Sequence, residues 1–245
     1  MSNLSGQCEA TVLRHVNYGE ADMILTLFSA EFGLQQGFAK FARKSRKRFG
    51  AVLEPFTQAT FYWQSGRGSM WLLQDADLLT QRLGLRRSMS HLALASYGVE
   101  LVELLLEDGQ SHVRVYELLC SYLDYLDADG DGRVARLLFE LRLIYLLGYM
   151  PHLLHCSECL KIFSNEKIRF DANRGGCLCV QCAGQAGFEI EQGTIGSLAR
   201  SLKISHSQFT GFNFGQQTLL DANLIFQQVL EINLPRQPKS LKFLS

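Results

Sequence analysis

A multidomain α+β chain, β-rich first and helical afterwards with a small cysteine-bearing insertion, is what three observations predict. Short apolar and aromatic runs broken by turn formers fill the first 80 or so residues. From Met89 the apolar spacing becomes helical, and five cysteines crowd between positions 156 and 182. At roughly 100–200 residues per domain, a chain of 245 makes one large domain or two to three small ones. Its 47% hydrophobic content excludes general disorder, which needs low hydrophobicity and high net charge.

In chain order, Thr11–Arg14, Met23–Phe28, Leu34–Ala42, Phe56–Gln64 and Trp71–Asp77 read as strands. Asn17-Tyr18-Gly19, Gly33, Gly50 and Ser65-Gly66-Arg67-Gly68-Ser69 separate them as turns. Five short strands suit a small barrel, most commonly a five-stranded OB-fold, although an SH3-like barrel gives the same pattern. Leu94, Tyr97, Leu101, Leu104 and Leu105 begin the helical region; Val115, Leu118, Leu119, Tyr122 and Leu126 follow, then Leu137, Leu141, Ile144, Tyr145 and Gly148. The loops between them, Glu107–Ser111 and Asp127–Gly132, are short, which implies antiparallel packing. Pro151 ends the third helix, and further helices are expected near Thr194–Lys203 and Gln217–Ile232. The expected domains are therefore a barrel over 1–82, a helical domain over 83–151 and 191–245, and a cysteine insertion over 152–190.

No apolar run approaches the ~18 residues of a membrane span, and Met1–Ala10 has neither the basic segment nor the apolar core of a secretory signal. The expectation is a soluble intracellular protein with no membrane partner. In that reducing setting, clustered cysteines read as a metal site rather than a disulfide framework.

Cys156-x2-Cys159 and Cys179-x2-Cys182 are two knuckles whose four thiolates can converge tetrahedrally on Zn2+. Four sulfurs close the coordination sphere, so the expected zinc is structural. Cys177 stays open as a substitute for Cys179 or as a spare thiol, and His152 and His155 are weaker alternative ligands. A deaminase-type site would need a His-x-Glu element near the ligands, and none is present.

Lys40, Arg43, Lys44, Arg46, Lys47 and Arg48 lie within nine positions, with no acidic residue between Glu31 and Glu54. Phe38, Phe41 and Phe49 flank them. Cations neutralise phosphates and rings stack bases, so the run reads as a single-stranded nucleic-acid groove, with Phe41 among its contacts. The competing reading is a solvated loop with core phenylalanines. Six phosphate contacts on a single strand would give a log K versus log salt slope near about −4.

Asp127-Ala128-Asp129-Gly130-Asp131-Gly132 matches the first half of an EF-hand loop, but its twelfth position is Leu138 where a bidentate Glu belongs, so it reads as a polar turn. No phosphate-loop, dinucleotide, nucleophile-elbow or HExxH motif occurs. The expectation is a protein that is not an enzyme. A zinc-dependent hydrolase or nuclease is a competing class, as is an OB-fold RNA-binding or ribosome-associated zinc-knuckle factor.

Several features together resemble the RecO family of bacterial DNA-repair proteins. They are Tyr18-Gly19-Glu20-Ala21-Asp22-Met23-Ile24-Leu25-Thr26-Leu27, Gly33, the Lys/Arg run, Gly50-Ala51-Val52-Leu53-Glu54-Pro55-Phe56, Phe139-Glu140-Leu141-Arg142-Leu143, Leu147-Gly148-Tyr149-Met150-Pro151, and Gly175-Gly176 before the second knuckle. The resemblance implies an N-terminal OB-fold, a helical C-terminal domain and a zinc-binding insertion. It also implies a cytoplasmic, nucleoid-associated protein that binds ssDNA and dsDNA, anneals strands, and acts with RecR to help RecA replace single-strand-binding protein (SSB). Members dock the acidic, hydrophobic SSB C-terminal tail, for which the expected place is Arg133, Arg136 and Arg142 beside Leu137 and Leu141.

The 24 basic and 24 acidic residues cancel overall but not locally. Residues 32–53 carry six positive charges and no negative one, whereas residues 97–131 carry nine acidic residues against Arg114 alone. Neutrality therefore does not exclude a nucleic-acid partner.

Overall fold

A computed structural model describes residues 4–45, 48–66, 68–164 and 166–244. The chain divides into two compact units, Met1–Asp129 and Gly130–Ser245. In the first, β1 (Ser5–Tyr18), β2 (Asp22–Ser29), β3 (Gly33–Ala39), β4 (Gln58–Ser65) and β5 (Trp71–Thr80) close into a barrel of order β1-β2-β3-β5-β4. β4 returns to β1, and β3 runs parallel to β5. The result is the OB-like barrel that the strand pattern predicts.

β1 is far longer than the expected Thr11–Arg14. Its first half, Ser5–Thr11, pairs with β4, while Ala10–Tyr18 pairs with β2. A register shift between Val12 and Arg14 bends it to serve both neighbours. β3 stops short of the expected Ala42 because Phe41 turns left-handed, at φ 56°, into a 3-10 turn over Ala42–Lys44. The chain then folds under the barrel. Ala42, Phe49, Val52 and Leu53 plug that end, packing into the core with Val12, Leu25, Leu27, Phe61 and Leu73.

Helices α1 (Met89–Leu105) and α2 (Val113–Asp127) cluster in the same compact unit as the barrel. The reason is a set of specific ties to the barrel. Phe28 meets Tyr116 edge-on at 5.5 Å. Arg82 is buried and donates to Phe56 O (2.8 Å), Gln58 Oε1 (3.2 Å) and Asp124 Oδ1 (2.6 Å). At Gly33, φ +66°, a Cβ would lie 1.8 Å from the Gln110 carbonyl oxygen, so only glycine permits this approach.

The second unit holds α3 (Gly132–Leu146), β6 (Ile168–Asp171), β7 (Gly176–Cys179), α4 (Val180–Ala183), β8 (Phe188–Ile190), α5 (Gln192–Ser201) and α6 (Gln216–Asn233). β7-β6-β8 form a small antiparallel sheet. Asp131 caps α3 by accepting from Arg133 N (2.8 Å) and Val134 N (3.3 Å). α6 packs on α3 and α5, burying Ala222, Ile225, Phe226, Val229 and Leu230. Buried Asp221 accepts from Glu191 N, Thr194 Oγ1 and Gln217 Nε2, which fastens the start of α5 to α6. Among the described residues no helix is long and apolar enough to cross a membrane.

Candidate nucleic-acid interface and metal centre

Strand register aligns outward side chains in a row across the barrel. Val16 pairs with Ile24, Ile24 with Phe38, and Phe38 with Leu72. Directly paired residues share a face, so these four form one apolar strip; Val16 is exposed and the others half-buried. Tyr18, 57% exposed, meets Phe38 edge-on at 5.9 Å and extends the strip. Phe41 stands beside it, 53% exposed, in a left-handed conformation unusual for a phenylalanine. Asp22, the strand partner of Tyr18, holds it there by accepting from Phe41 N at 2.7 Å.

The cations divide by what they already do. Lys40 lies 5.3 Å over the Phe41 ring, and Lys40, Arg43 and Lys44 are all exposed. Arg43 also donates to Glu20 O at 3.2 Å. Arg48 is occupied: it donates to Lys40 O (2.7 Å) and Ser45 Oγ (3.0 Å) and lies 5.0 Å over Phe49. Arg46 and Lys47 lie outside the described residues. Of the three phenylalanines, Phe41 is presented to solvent, Phe38 lies in the strip, and Phe49, 1% exposed, belongs to the barrel plug.

In the second unit, the Sγ atoms of Cys156, Cys159, Cys179 and Cys182 all lie within 4.8 Å of one another, with Cys159 and Cys179 at 3.8 Å. A tetrahedral ion with metal–sulfur bonds of about 2.3 Å has sulfur–sulfur edges of about 3.8 Å, so these four could hold a metal ion. Burial alone would raise the Cys156 thiol. Backbone N–H groups of Cys159, Cys179 and Glu158 outweigh it and bring the thiol from an ordinary 9 to about 6. Neighbouring sulfurs push Cys182 the other way. Cys177 stays outside the group, buried on β7 opposite Phe170, and burial pushes its thiol up to about 12. Of the two alternatives, Cys179 is the one placed in the group that could hold an ion.

The knuckles are positioned by backbone. Leu160 N bonds Cys156 O (3.0 Å), Cys156 N bonds Lys161 O (2.9 Å), and Ser157 N bonds Cys177 O (2.8 Å). Gly176, φ +130°, passes so close to His152 that a Cβ would sit 2.4 Å from its carbonyl oxygen. Arg174 clamps the two knuckles together, donating to Glu158 Oε1 (2.6 and 2.8 Å) from the first and to Cys182 O (2.8 Å) in the second.

Two family models cover nearly the whole chain: "Recombination protein O N terminal" over residues 1–82 and "Recombination protein O C terminal" over residues 86–242. The chain belongs to the RecO family of DNA-repair proteins. It is 47% identical to DNA repair protein RecO of Syntrophotalea carbinolica, across 100% of this chain and 95% of that one. It is 34% identical to the RecO of Geobacter sulfurreducens, across 97% of this chain and 96% of that one. Against the RecO of Anaeromyxobacter sp. (strain K) the identity is 42%, across 70% of this chain and 68% of that one. Membership supports a role in recombinational repair and, with it, DNA and recombination partners.

In this RecO-family chain the expected tail-docking residues separate. Arg133, Arg136, Leu137 and Glu140 of α3 line a groove of about 280 Å3 with Gln216, Leu219, Leu220, Asn223 and Phe226 of α6. Arg136 pairs with buried Glu140 at 2.9 Å. Arg142 and Leu141 are not in that lining; both are buried elsewhere on α3. The Asp127–Asp131 turn is occupied locally: Asp127 accepts from Leu85 N, Asp129 faces His91 at 3.6 Å, and Asp131 caps α3. Val16, Ile24 and Leu72 carry no nucleic-acid signal of their own in the sequence; the pairing register brings them onto one face with Phe38. Arg82 and Arg174 are equally silent there, because their partners lie far along the chain.

Proposed function

We propose that the barrel binds single-stranded DNA across the Val16–Ile24–Phe38–Leu72 strip, with Tyr18 and Phe41 stacking bases and Lys40, Arg43 and Lys44 neutralising phosphates. The observation that carries this reading is Phe41, an exposed aromatic locked left-handed by Asp22 with Lys40 over its ring. The protein acts without bond-making chemistry. It binds ssDNA and dsDNA, lowers phosphate repulsion between two strands so that complementary bases pair, and with RecR helps load RecA on SSB-coated DNA.

The Cys156, Cys159, Cys179 and Cys182 site takes Zn2+, whose contribution is to staple the knuckles, since four sulfur ligands leave no position for water. The groove between α3 and α6 takes the SSB C-terminal tail. Arg133 and Arg136 stand at its rim for the tail's carboxylates, and Leu137, Leu219, Leu220 and Phe226 offer the apolar floor for its hydrophobic end.

The test is annealing of SSB-coated complementary oligonucleotides, with the SSB tail present or deleted. Lys40→Ala/Lys44→Ala and Phe41→Ala should slow annealing on bare strands, and tail deletion should slow it only on coated ones. Unchanged rates in the barrel variants would move the interface elsewhere. Tighter binding to matched RNA than to DNA at the same salt would overturn the choice of nucleic acid.

A further inference from the structure

Arg142 is 1% exposed, yet it faces no carboxylate among the described residues. One Nη donates to His206 O at 3.3 Å, while Nε and the other Nη find no hydrogen-bond partner. Its guanidinium lies 5.0 Å over Phe209 and 5.3 Å over Phe212. Burial disfavours the cation, bringing its pKa from 12.5 down to about 10. An isolated buried charge is costly, and an apolar residue of similar volume is often neutral or stabilising in such a place. Stability alone therefore does not account for an arginine here.

Its contacts suggest what does. His206, Phe209 and Phe212 sit on the stretch 203–215 between α5 and α6, where regular structure is limited to turns. Phe209 is buried, and Ser205 Oγ and Ser207 Oγ are 2.9 Å apart. That stretch ends at Gly215, directly before the first turn of α6, and Gln216, Leu219 and Leu220 of that turn form one wall of the groove. The opposite wall comes from α3 itself, through Arg133, Arg136, Leu137 and Glu140. Arg142 thus holds, from the α3 side, the segment that decides where the α6 wall begins.

We propose that Arg142 is a positioning residue for the α3–α6 groove, pinning the 203–215 segment, and with it the first turn of α6, through two aromatic faces and the His206 carbonyl. The proposal rests on the reading of that groove as a docking site for an acidic tail. Arg142 does not touch the tail; it sets the spacing of the walls that do.

The experiment uses the full chain with its metal and compares wild type, Arg142→Met and Arg142→Lys. It measures melting temperature, hydrogen exchange over 204–220, and affinity for a fluorescent peptide with the sequence of the SSB C-terminal tail. Arg142→Met should melt at or above the wild-type temperature, exchange at least tenfold faster over 204–216, and bind the peptide at least fivefold more weakly. Arg142→Lys, which keeps the charge and one carbonyl bond but not the flat stack, should fall between. The proposal is overturned if Arg142→Met exchanges as wild type does, or if exchange rises while peptide affinity stays unchanged. Affinity lost only in step with melting temperature in both variants marks a merely structural residue and also overturns it. If the wild-type chain takes no peptide, the docking reading fails, and the exchange comparison alone decides whether Arg142 pins the segment.

Discussion

The basic run offers a sharp measurement because its residues are not equivalent. Each phosphate neutralised on a single strand contributes about 0.7 to the slope of log K against log salt. Six contacts, the count from sequence, give about −4.2. Arg48 spends its guanidinium on Lys40 O, Ser45 Oγ and the Phe49 ring, and withdrawing it leaves at most five contacts, those of Lys40, Arg43 and Lys44 with those of Arg46 and Lys47 outside the described residues, and about −3.5. Between about 50 and 200 mM salt that slope means a loss of roughly 130-fold in affinity. Lys44→Ala should reduce the slope to about −2.8 and the loss to roughly 50-fold, with melting unchanged. Arg48→Ala should leave the slope near −3.5 but destabilise the barrel plug by about 1–2 kcal/mol, the worth of its half-exposed hydrogen bonds and ring contact. The assay is fluorescence anisotropy of a labelled oligothymidine across that salt range, beside thermal melting. If Arg48→Ala lowers the slope as much as Lys44→Ala while melting normally, the division of the cations into binding and bracing is wrong.

Phe41→Ala should weaken ssDNA binding by about 1–3 kcal/mol at unchanged melting temperature, whereas Phe49→Ala should destabilise the fold by about 3–5 kcal/mol; anisotropy and melting separate the two. Metal analysis of purified variants should find full zinc in Cys177→Ser and a loss in Cys179→Ser. Arg174→Ala should retain the ion but release it to a chelator several-fold faster, because the clamp between the knuckles is gone. Cys156, held at about 6 against an ordinary 9, contributes stability that is full above pH 9, declines as pH falls, and is absent below about 6. Hydrogen exchange over residues 156–161 of the metal-stripped chain should therefore slow as pH rises from 6 to 9, after correction for intrinsic exchange; a flat profile refutes this.

What the sequence disclosed was what repeats locally. β2, β5 and the three helices α1–α3 lie within a few residues of their expected places because their periodicities are self-contained. The convergence of four cysteine sulfurs followed from two knuckles at recognisable spacing. The length of β1 was hidden because outward positions such as Gln7, Glu9 and Arg14 are polar and carry no strand signal; pairing with two neighbours makes the strand. The grouping of α1 and α2 with the barrel was hidden for a related reason. It depends on Arg82 reaching Asp124, 42 positions away, and on contacts such as Phe28 with Tyr116. Arg142 and Arg136 look alike in a sequence, six positions apart on one helix. Only packing shows that one edges a groove and the other is enclosed by Phe209 and Phe212.

Charge separation also proved finer than the sequence suggested. The acidic stretch over 97–131 had seemed the counterweight to the basic run, but much of it is engaged: Glu103 pairs with Arg14 and Asp124 with Arg82. The more consequential contrast lies on the barrel itself. Register puts Glu9, Thr60 and Asp77 side by side, and Gln7, Tyr62 and Asp75 in the next row, outward on β1, β4 and β5. Tyr62 donates to Asp77, so that carboxylate is kept in place. In the proposed binding mode, phosphates drawn to Lys40 and Lys44 would meet repulsion once a strand passed Leu72 toward Asp75. A neutral chain can therefore carry a basic edge and an acidic face on one barrel, and in that proposed mode the apolar strip would carry a strand only as far as the acidic rows.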